Sequence, residues 1–261
     1  MGEVAALPDV TAQVVKQFKL RAAFDPFGDE FDGFAGSPTG RAASGEATWQ
    51  TTYFWGARTM ATNKEAQHYS DSTTAVDPFA VRDGILHITA APGASLPDGL
   101  GYTSGMITTH ESFSQTYGHF EMRAQLPAGQ GMWPAFWLLP ESGRWPPELD
   151  AMEMLGQDPR TVYVATHSGP SNTVAQNAVP VDDASAGQHT YGVSWRPDEV
   201  AFYIDGREVF RTPTPADMHE PMYLLANLAV GGDGSWPGPA AGETATMRID
   251  HIRAYQFDDL I

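Results

Sequence analysis

Apolar residues along this chain recur in short runs in which every second position is polar. GILHITAA (84–91) sets Leu86, Ile88 and Ala90 against His87 and Thr89, and the runs VAFYIDG (200–206) and REVFRT (207–212) meet at Asp205-Gly206. A period of two sends alternate side chains to opposite faces of a strand, and Asp-Gly between two such runs favours a tight hairpin turn. Further runs follow at SGMITTHESF (104–113), GHFEMRAQL (118–126), AFWLLP (135–140), ELDAMEML (148–155), TVYVATHS (161–168), HTYGVSWR (189–196), MYLLANLAV (222–230) and TATMRIDHIRAYQF (244–257). Gly, Pro and Asp separate them at roughly ten-residue spacing, the pattern of antiparallel sheets packed as a sandwich. A helical period shows only over residues 9–20. The expected fold is therefore all-β, a jelly-roll sandwich of two antiparallel sheets. Residues 1–23 read as an N-terminal extension, 24–261 as a single domain, and the stretches FDPFGDEFDGF and SPTGRAASGEATWQTT as loops before the first strand pairs.

Composition supports that outline: 26 Gly and 20 Pro punctuate 261 residues, too often for long helices. No repeat, low-complexity tract or linker breaks the chain. The formal net charge of −17 argues against nucleic acid and against an anionic membrane, since both bind through clustered Lys and Arg, and only 15 are scattered here. With no cysteine, neither disulfides nor thiolate metal sites are available. The N-terminus lacks a basic segment followed by a continuous apolar one, and no stretch approaches the ~20 apolar residues that span a bilayer. The expectation is a soluble monomer.

The chemistry concentrates in Pro147-Glu148-Leu149-Asp150-Ala151-Met152-Glu153-Met154. Strict alternation would put Glu148 and Asp150 on one face with Met152, leaving Glu153 on the other. One extra residue, a bulge at Ala151-Met152, returns Glu153 to the acidic face. Three carboxylates on one face repel each other, and one proton is then retained to higher pH. Glycoside hydrolysis with retention uses such a pair, roughly 5–5.5 Å apart, one ionised to attack the anomeric carbon and one protonated to release the leaving oxygen. Taken alone, the string also fits a solvated acidic edge. Trp133, Trp137 and Trp145 lie close by in GMWPAFWLLPESGRWPP, and flat aromatic faces suit sugar rings; Trp137, inside AFWLLP, reads as core filler instead.

With these residues in place, the chain resembles family 16 of the glycoside hydrolases, the laminarinase and β-glucanase family. ELDAME matches the bulged form of its Glu-x-Asp-x-x-Glu motif, and GQGMWPAFWLLP matches the block before it. TYGHFEMRAQLP, HTYGVSWRPDEVAFYIDG, LLANLAVGG and MRIDHIRAYQ follow the family's other blocks in order, so the likeness runs from about Phe24 to Phe257. It implies a jelly-roll sandwich with an open concave cleft. It also implies Glu148 as nucleophile, Glu153 as general acid/base and Asp150 as the carboxylate that orients Glu148. Trp133 and Trp145 would be sugar platforms near the subsites left of the cut, with His167 and Asn63 as further cleft contacts; a structural histidine and a turn-capping asparagine are the plain alternatives. No cofactor is implied for catalysis. A structural Ca²⁺ is, held by Glu30, the Gly84 carbonyl and Asp250, and GGDG (231–234) reads as a loop beside the cleft.

The bulged motif is shared by laminarinases, agarases and carrageenases of the family. Scarce basic residues favour a neutral glucan over a sulfated galactan, and WQTTYFWGARTMATNKEAQHYSD resembles family members that trim bacterial exopolysaccharide. The implied activity is that of a secreted, retaining endo-glycosidase on β-1,3- or β-1,3/1,4-linked polymer. Two readings compete: a transglycosylase using the same intermediate, and a non-catalytic sugar-binding sandwich, which has no reason to retain both glutamates. Serine and zinc hydrolases find no support, since G-x-S-x-G and H-E-x-x-H are both absent. Solitary His68, His87, His110, His119 and His189 read as structural.

Overall fold

The computed structural model describes residues 27–39, 49–93 and 96–258. The helical period at 9–20 and the extension at 1–23 lie outside them. Two sheets face each other. The first runs in space through Thr173–Pro180, Thr161–Ser168, Glu148–Met154, Met132–Pro140, Met222–Val230, Met106–Thr108, Trp49–Gln50 and Gly36–Ser37. The second runs through Arg207–Pro213, Glu199–Ile204, His189–Trp195, Gly118–Gln125, Ala245–Tyr255, Ile85–Pro92, Tyr102–Ser104 and Gln67–Tyr69. Phe27–Asp29 pairs beside Ala245–Tyr255, and Phe79–Arg82 beside Ile85–Pro92. Nearly all pairings are antiparallel; Gly36–Ser37 with Trp49–Gln50 and Gln67–Tyr69 with Tyr102–Ser104 are parallel. The jelly-roll sandwich expected from alternation is the observed fold.

Alternation explains which side chains fill the core between the sheets. Phe136 and Leu138 point inward from one strand, Leu149 and Met154 from the next, and Phe120, Met122, Tyr191, Val193, Trp195 and Phe202 meet them from the second sheet, all fully buried. Asp205-Gly206 forms the expected hairpin, with both residues at positive φ (50° and 73°) as that turn requires.

Several elements differ from the sequence reading, among them the short strands Gln67–Tyr69 and Phe79–Arg82, which it did not name. The run 104–113 is broken at Gly105 into Tyr102–Ser104 and Met106–Thr108. A Cβ on Gly105 would sit 2.7–2.9 Å from Phe79 and Ile88 side-chain atoms, so the break follows from close packing. The two supposed loops near the start contribute the short strands Phe27–Asp29, Gly36–Ser37 and Trp49–Gln50, anchored where the Trp49 indole donates to Asp29 Oδ2 at 2.7 Å. Finally, Thr173–Pro180 is an edge strand exposed along most of its length, in which Val179 is the one buried side chain, so alternation has little to detect.

Candidate active site

The outer face of the first sheet is lined by the acidic strand. Asp150 pairs with Ala165 and Glu153 with Tyr163, so Ala151 and Met152 together oppose only Val164. On the other side Trp137 pairs with Asp150 and Phe136 with Met152, which again leaves Ala151 over. This is the bulge at Ala151-Met152. Leu149, Ala151, Met152 and Met154 all enter the core, while Glu148, Asp150 and Glu153 share the opposite face.

That face forms a cleft of about 680 Å³. Trp133, Trp137, Trp145, Asn63 and His167 all line it together with the three carboxylates. The Trp133 indole donates to Glu153 Oε1 at 2.9 Å, and the Trp145 indole donates to Glu148 Oε2 at 2.6 Å. Asn63 ends the turn Ala61–Asn63 and reaches Glu65 Oε1 at 3.5 Å. His167 Nε2 lies 3.2 Å from Asp150 Oδ2, and its Nδ1 lies 2.9 Å from Asn172 Oδ1. Trp137 corrects the sequence reading. It is buried, but on the cleft floor rather than between the sheets, because Ala135, Trp137 and Leu139 alternate with core-facing Phe136 and Leu138. Its indole donates to Asn227 Oδ1 at 2.7 Å, and Asn227 donates in turn to the Tyr69 hydroxyl at 2.9 Å.

The electrostatics separate the acids. Burial at the cleft base pushes Glu153 up to about 7, reinforced by the charge on Glu148 and opposed by the Trp133 hydrogen bond. Asp150 is raised well above the carboxylate range, by burial first and then by Glu148 and Glu153 on either side. Glu65, at the end of the cleft beyond Asn63, is raised by burial too, although Met60 N–H and the Gln67 amide donate to it at 2.9 and 2.6 Å. Polar atoms of Glu148, Asp150 and His167 lie within 4.8 Å of one another. The Trp145 indole takes one Glu148 oxygen and Asn172 takes His167 Nδ1, which leaves the second Glu148 oxygen and His167 Nε2 on the Asp150 side.

Sequence reasoning missed several cleft residues. Tyr53, Phe54 and Trp55 form one wall, with Tyr53 and Trp55 stacked at 4.6 Å, and Phe54 stacks on His110 at 5.0 Å. Trp236 stands edge-on to Trp133 at 5.6 Å and to Tyr163 at 4.8 Å. It follows the GGDG loop, which lies beside the cleft as expected. Among the described residues, Phe54, Trp55, Trp145 and Trp236 are the exposed large aromatics, and every one faces this cleft. Such an apolar concentration marks a binding face. Three consecutive aromatics at 53–55 were a usable signal, because successive side chains of an extended chain or a turn cannot all enter one core.

A family model for glycosyl hydrolases family 16 matches residues 67–253. The chain belongs to glycosyl hydrolase family 16. Within the family it is 43% identical to endo-1,3-1,4-beta-glycanase ExsH of Rhizobium meliloti (strain 1021), over 98% of this chain and 58% of that protein. It is 47% identical to endo-1,3-1,4-beta-glycanase EglC of the same organism, over 80% of this chain and 48% of that protein. The chain thus spans about half the length of these relatives. The catalytic domain of an endo-1,3-beta-glucanase (laminarinase) from Thermotoga petrophila RKU-1 superposes with a TM-score of 0.73 at 31% identity, covering 89% of this chain and 97% of that one.

The residues expected to hold calcium belong to the second sheet and its turns, away from the cleft. Arg253 grips both Glu30 oxygens, at 2.6 and 2.7 Å. Asp250 Oδ2 lies 3.3 Å from Arg123 Nη1 and 3.0 Å from His251 Nδ1. Gly84 sits in the turn before Ile85 at φ 71°. Carboxylates committed to guanidinium groups do not fit as calcium ligands, because a divalent ion there would face fixed positive charge. The calcium expectation is not carried further.

Proposed function

We propose that this chain is a retaining endo-glycosidase acting on a neutral β-1,3- or β-1,3/1,4-linked glucan or a related bacterial exopolysaccharide. The observation that carries the reading is the separation of the acids on one bulged strand. Glu153, raised to about 7, keeps its proton through the acid range and up to near neutral pH, while Glu148 faces the cleft with an indole on one oxygen. Glu148 attacks the anomeric carbon as the Glu153 proton passes to the glycosidic oxygen, which leaves with the bonding pair. The Glu153 carboxylate then takes a proton from water, whose oxygen attacks the same carbon and releases Glu148. Burial and the two flanking glutamates hold the Asp150 proton to high pH, so Asp150 adds no negative charge beside Glu148.

Aromatic faces stand on both sides of the acids, Trp145 by Glu148 and Trp133 with Trp236 by Glu153. A chain lying along these faces presents an internal bond to the acids, which supports internal cleavage. Among the described residues, Arg144 is the one Lys or Arg lining the cleft, against the carboxylates of Glu65, Glu148, Asp150 and Glu153, which disfavours a sulfated polymer. The relatives named for 1,3-1,4-linked substrates favour the same class. No helix among the described residues is long and apolar enough to cross a membrane, and a polymer of this size is met outside the cell; we place the activity there, in a monomer.

The test is reducing-end release from laminarin, barley β-glucan, a succinoglycan-type exopolysaccharide, agarose and carrageenan, run beside Glu148→Gln. Cleavage of one glucan that falls on the order of 10⁴-fold in the variant, with unchanged melting, is expected. Cleavage of agarose or carrageenan alone would overturn the substrate class, and equal activity in the variant would overturn the mechanism.

A further inference from the structure

His167 and Asn172 extend the acid cluster in a way that the double-displacement chemistry above does not require. His167 lies on Thr161–Ser168, directly opposite Glu148 in the register, and Asn172 lies in the turn that follows. That turn is built for its role. Asn172 adopts the left-handed region at φ 48°, its backbone N–H donates to the Gly169 carbonyl at 3.0 Å, and the Gly169 N–H donates to Asp217 Oδ2 at 2.6 Å. Asparagine accepts this backbone conformation more readily than most residues, so the side chain is held where the imidazole needs it. Its Oδ1 can only accept a hydrogen bond, and the atom it meets is His167 Nδ1 at 2.9 Å.

We propose that Asn172 is a positioning residue that keeps a proton on His167 Nδ1 and thereby leaves a second proton to be shared between His167 Nε2 and Asp150 Oδ2. With Nδ1 protonated, a neutral imidazole presents a bare lone pair at Nε2. Asp150 Oδ2 is buried and makes no other hydrogen bond, so two lone pairs would meet at 3.2 Å unless a proton lies between them. That proton belongs to the Asp150 carboxyl or to an imidazolium N–H; in both cases the pair carries no net charge. Glu148 then keeps the negative charge needed for attack beside a neutral neighbour instead of a second anion.

Other charged or titratable groups around the pair enter the same balance. Glu148 and Glu153 flank Asp150 on its own strand, Tyr163 precedes His167, Tyr53 and Tyr223 line the floor, Arg144 stands at the rim and Asp217 holds the turn. The strong upward displacement of Asp150 by burial and its two glutamates agrees with a proton retained in this contact.

The inference rests on the glycosidase reading for its catalytic consequence, but its core is testable without substrate. Protein carrying ¹⁵N-histidine would be examined by long-range ¹⁵N–¹H spectra, with His167 assigned by its loss in His167→Gln. The expected result is a protonated-type Nδ1 from acid to neutral pH. Asn172→Gly suits the positive φ, keeps the turn and removes the acceptor; it should abolish that signal in favour of Nε2–H, lower kcat/KM by about tenfold and displace the pH profile. Asn172→Asp retains an acceptor oxygen and should restore both the Nδ1 signal and most of the activity. An unprotonated Nδ1 in the unaltered protein, or spectra unmoved by Asn172→Gly, would overturn the proposal. Failure of the glycosidase reading would show separately, as no turnover in the unaltered protein with the tautomer intact.

Discussion

Two buried acidic sites occupy the outer faces of the two sheets, and they are treated in opposite ways. On the cleft sheet, Glu148, Asp150 and Glu153 crowd together with two indoles and one imidazole for company, and proton affinity rises. On the second sheet, Glu121 alternates with core-facing Phe120 and Met122 and is buried outside the core among cations and donors. Tyr255 donates to it at 3.0 Å, His119 and His251 lie at 3.6 Å, and Arg253 at 3.8 Å. Burial alone would raise its pKa, yet the two histidines outweigh burial and hold it well below the ordinary carboxylate range. The fold is able to neutralise a buried glutamate. That it does not do so on the cleft strand says that the unrelieved repulsion there is used.

Several measurements would break or sharpen this contrast. The largest effect is expected at Glu153→Gln, where loss of proton donation should slow polysaccharide cleavage about 10²–10⁴-fold. Aryl glycosides with good leaving groups should lose much less in their glycosylation step; equal losses would end the acid assignment. Stability should hold or rise, since a source of repulsion is gone. Glu121→Gln should do the reverse, with kcat unchanged and stability lowered by about 3 kcal/mol as cations are left buried without their partner. Urea melts read this directly, and a Glu121→Gln protein of undiminished stability would show that the second site is not held by charge.

A pH series distinguishes the two by sign. Glu153 is raised from an ordinary 4.5 to about 7, so the stability its protonated form supplies is complete below about 4.5 and is lost as pH climbs through about 7. Glu121 is depressed, so its contribution is complete above 4.5 and is lost as pH falls toward its folded value. Glu153→Gln should flatten the first slope and Glu121→Gln the second, and identical slopes in both variants would contradict the contrast. The smallest effect is expected at Trp133→Phe. Removing the indole donor takes away a bond that lowers Glu153, so the alkaline limb of activity should move to higher pH while kcat falls less than about tenfold.

The comparison also shows what a sequence can reveal. The acidic strand was legible because three carboxylates, a polar–apolar alternation and its one-residue failure at Ala151-Met152 share eight consecutive positions. Glu121 was not legible: in GHFEMRAQL it is one more polar residue on an alternating strand, and its partners come from residues 119, 251, 253 and 255 through the pairing of Gly118–Gln125 with Ala245–Tyr255. Trp137 was misread because alternation gives a strand two faces without saying that both are covered. Thr173–Pro180 escaped because its inward positions 173, 175, 177 and 179 carry Thr, Ala, Asn and Val, with Val179 alone buried, so no apolar period forms, and Asn172 because its role exists only once His167 is placed beside it. Trp236 shows the same limit, lying far along the chain from Trp133 and meeting it only because Met132–Pro140 pairs with Met222–Val230.

The pairing of Phe27–Asp29 with Ile252–Ala254, clamped by Arg253 on Glu30, has a practical consequence. It brings the first and last described strands side by side on the sheet that turns its back to the cleft. A tether, fusion partner or solid support joined near either of those strands would lie behind the catalytic face, so the cleft could graze along an anchored or insoluble polymer without its own attachment getting in the way.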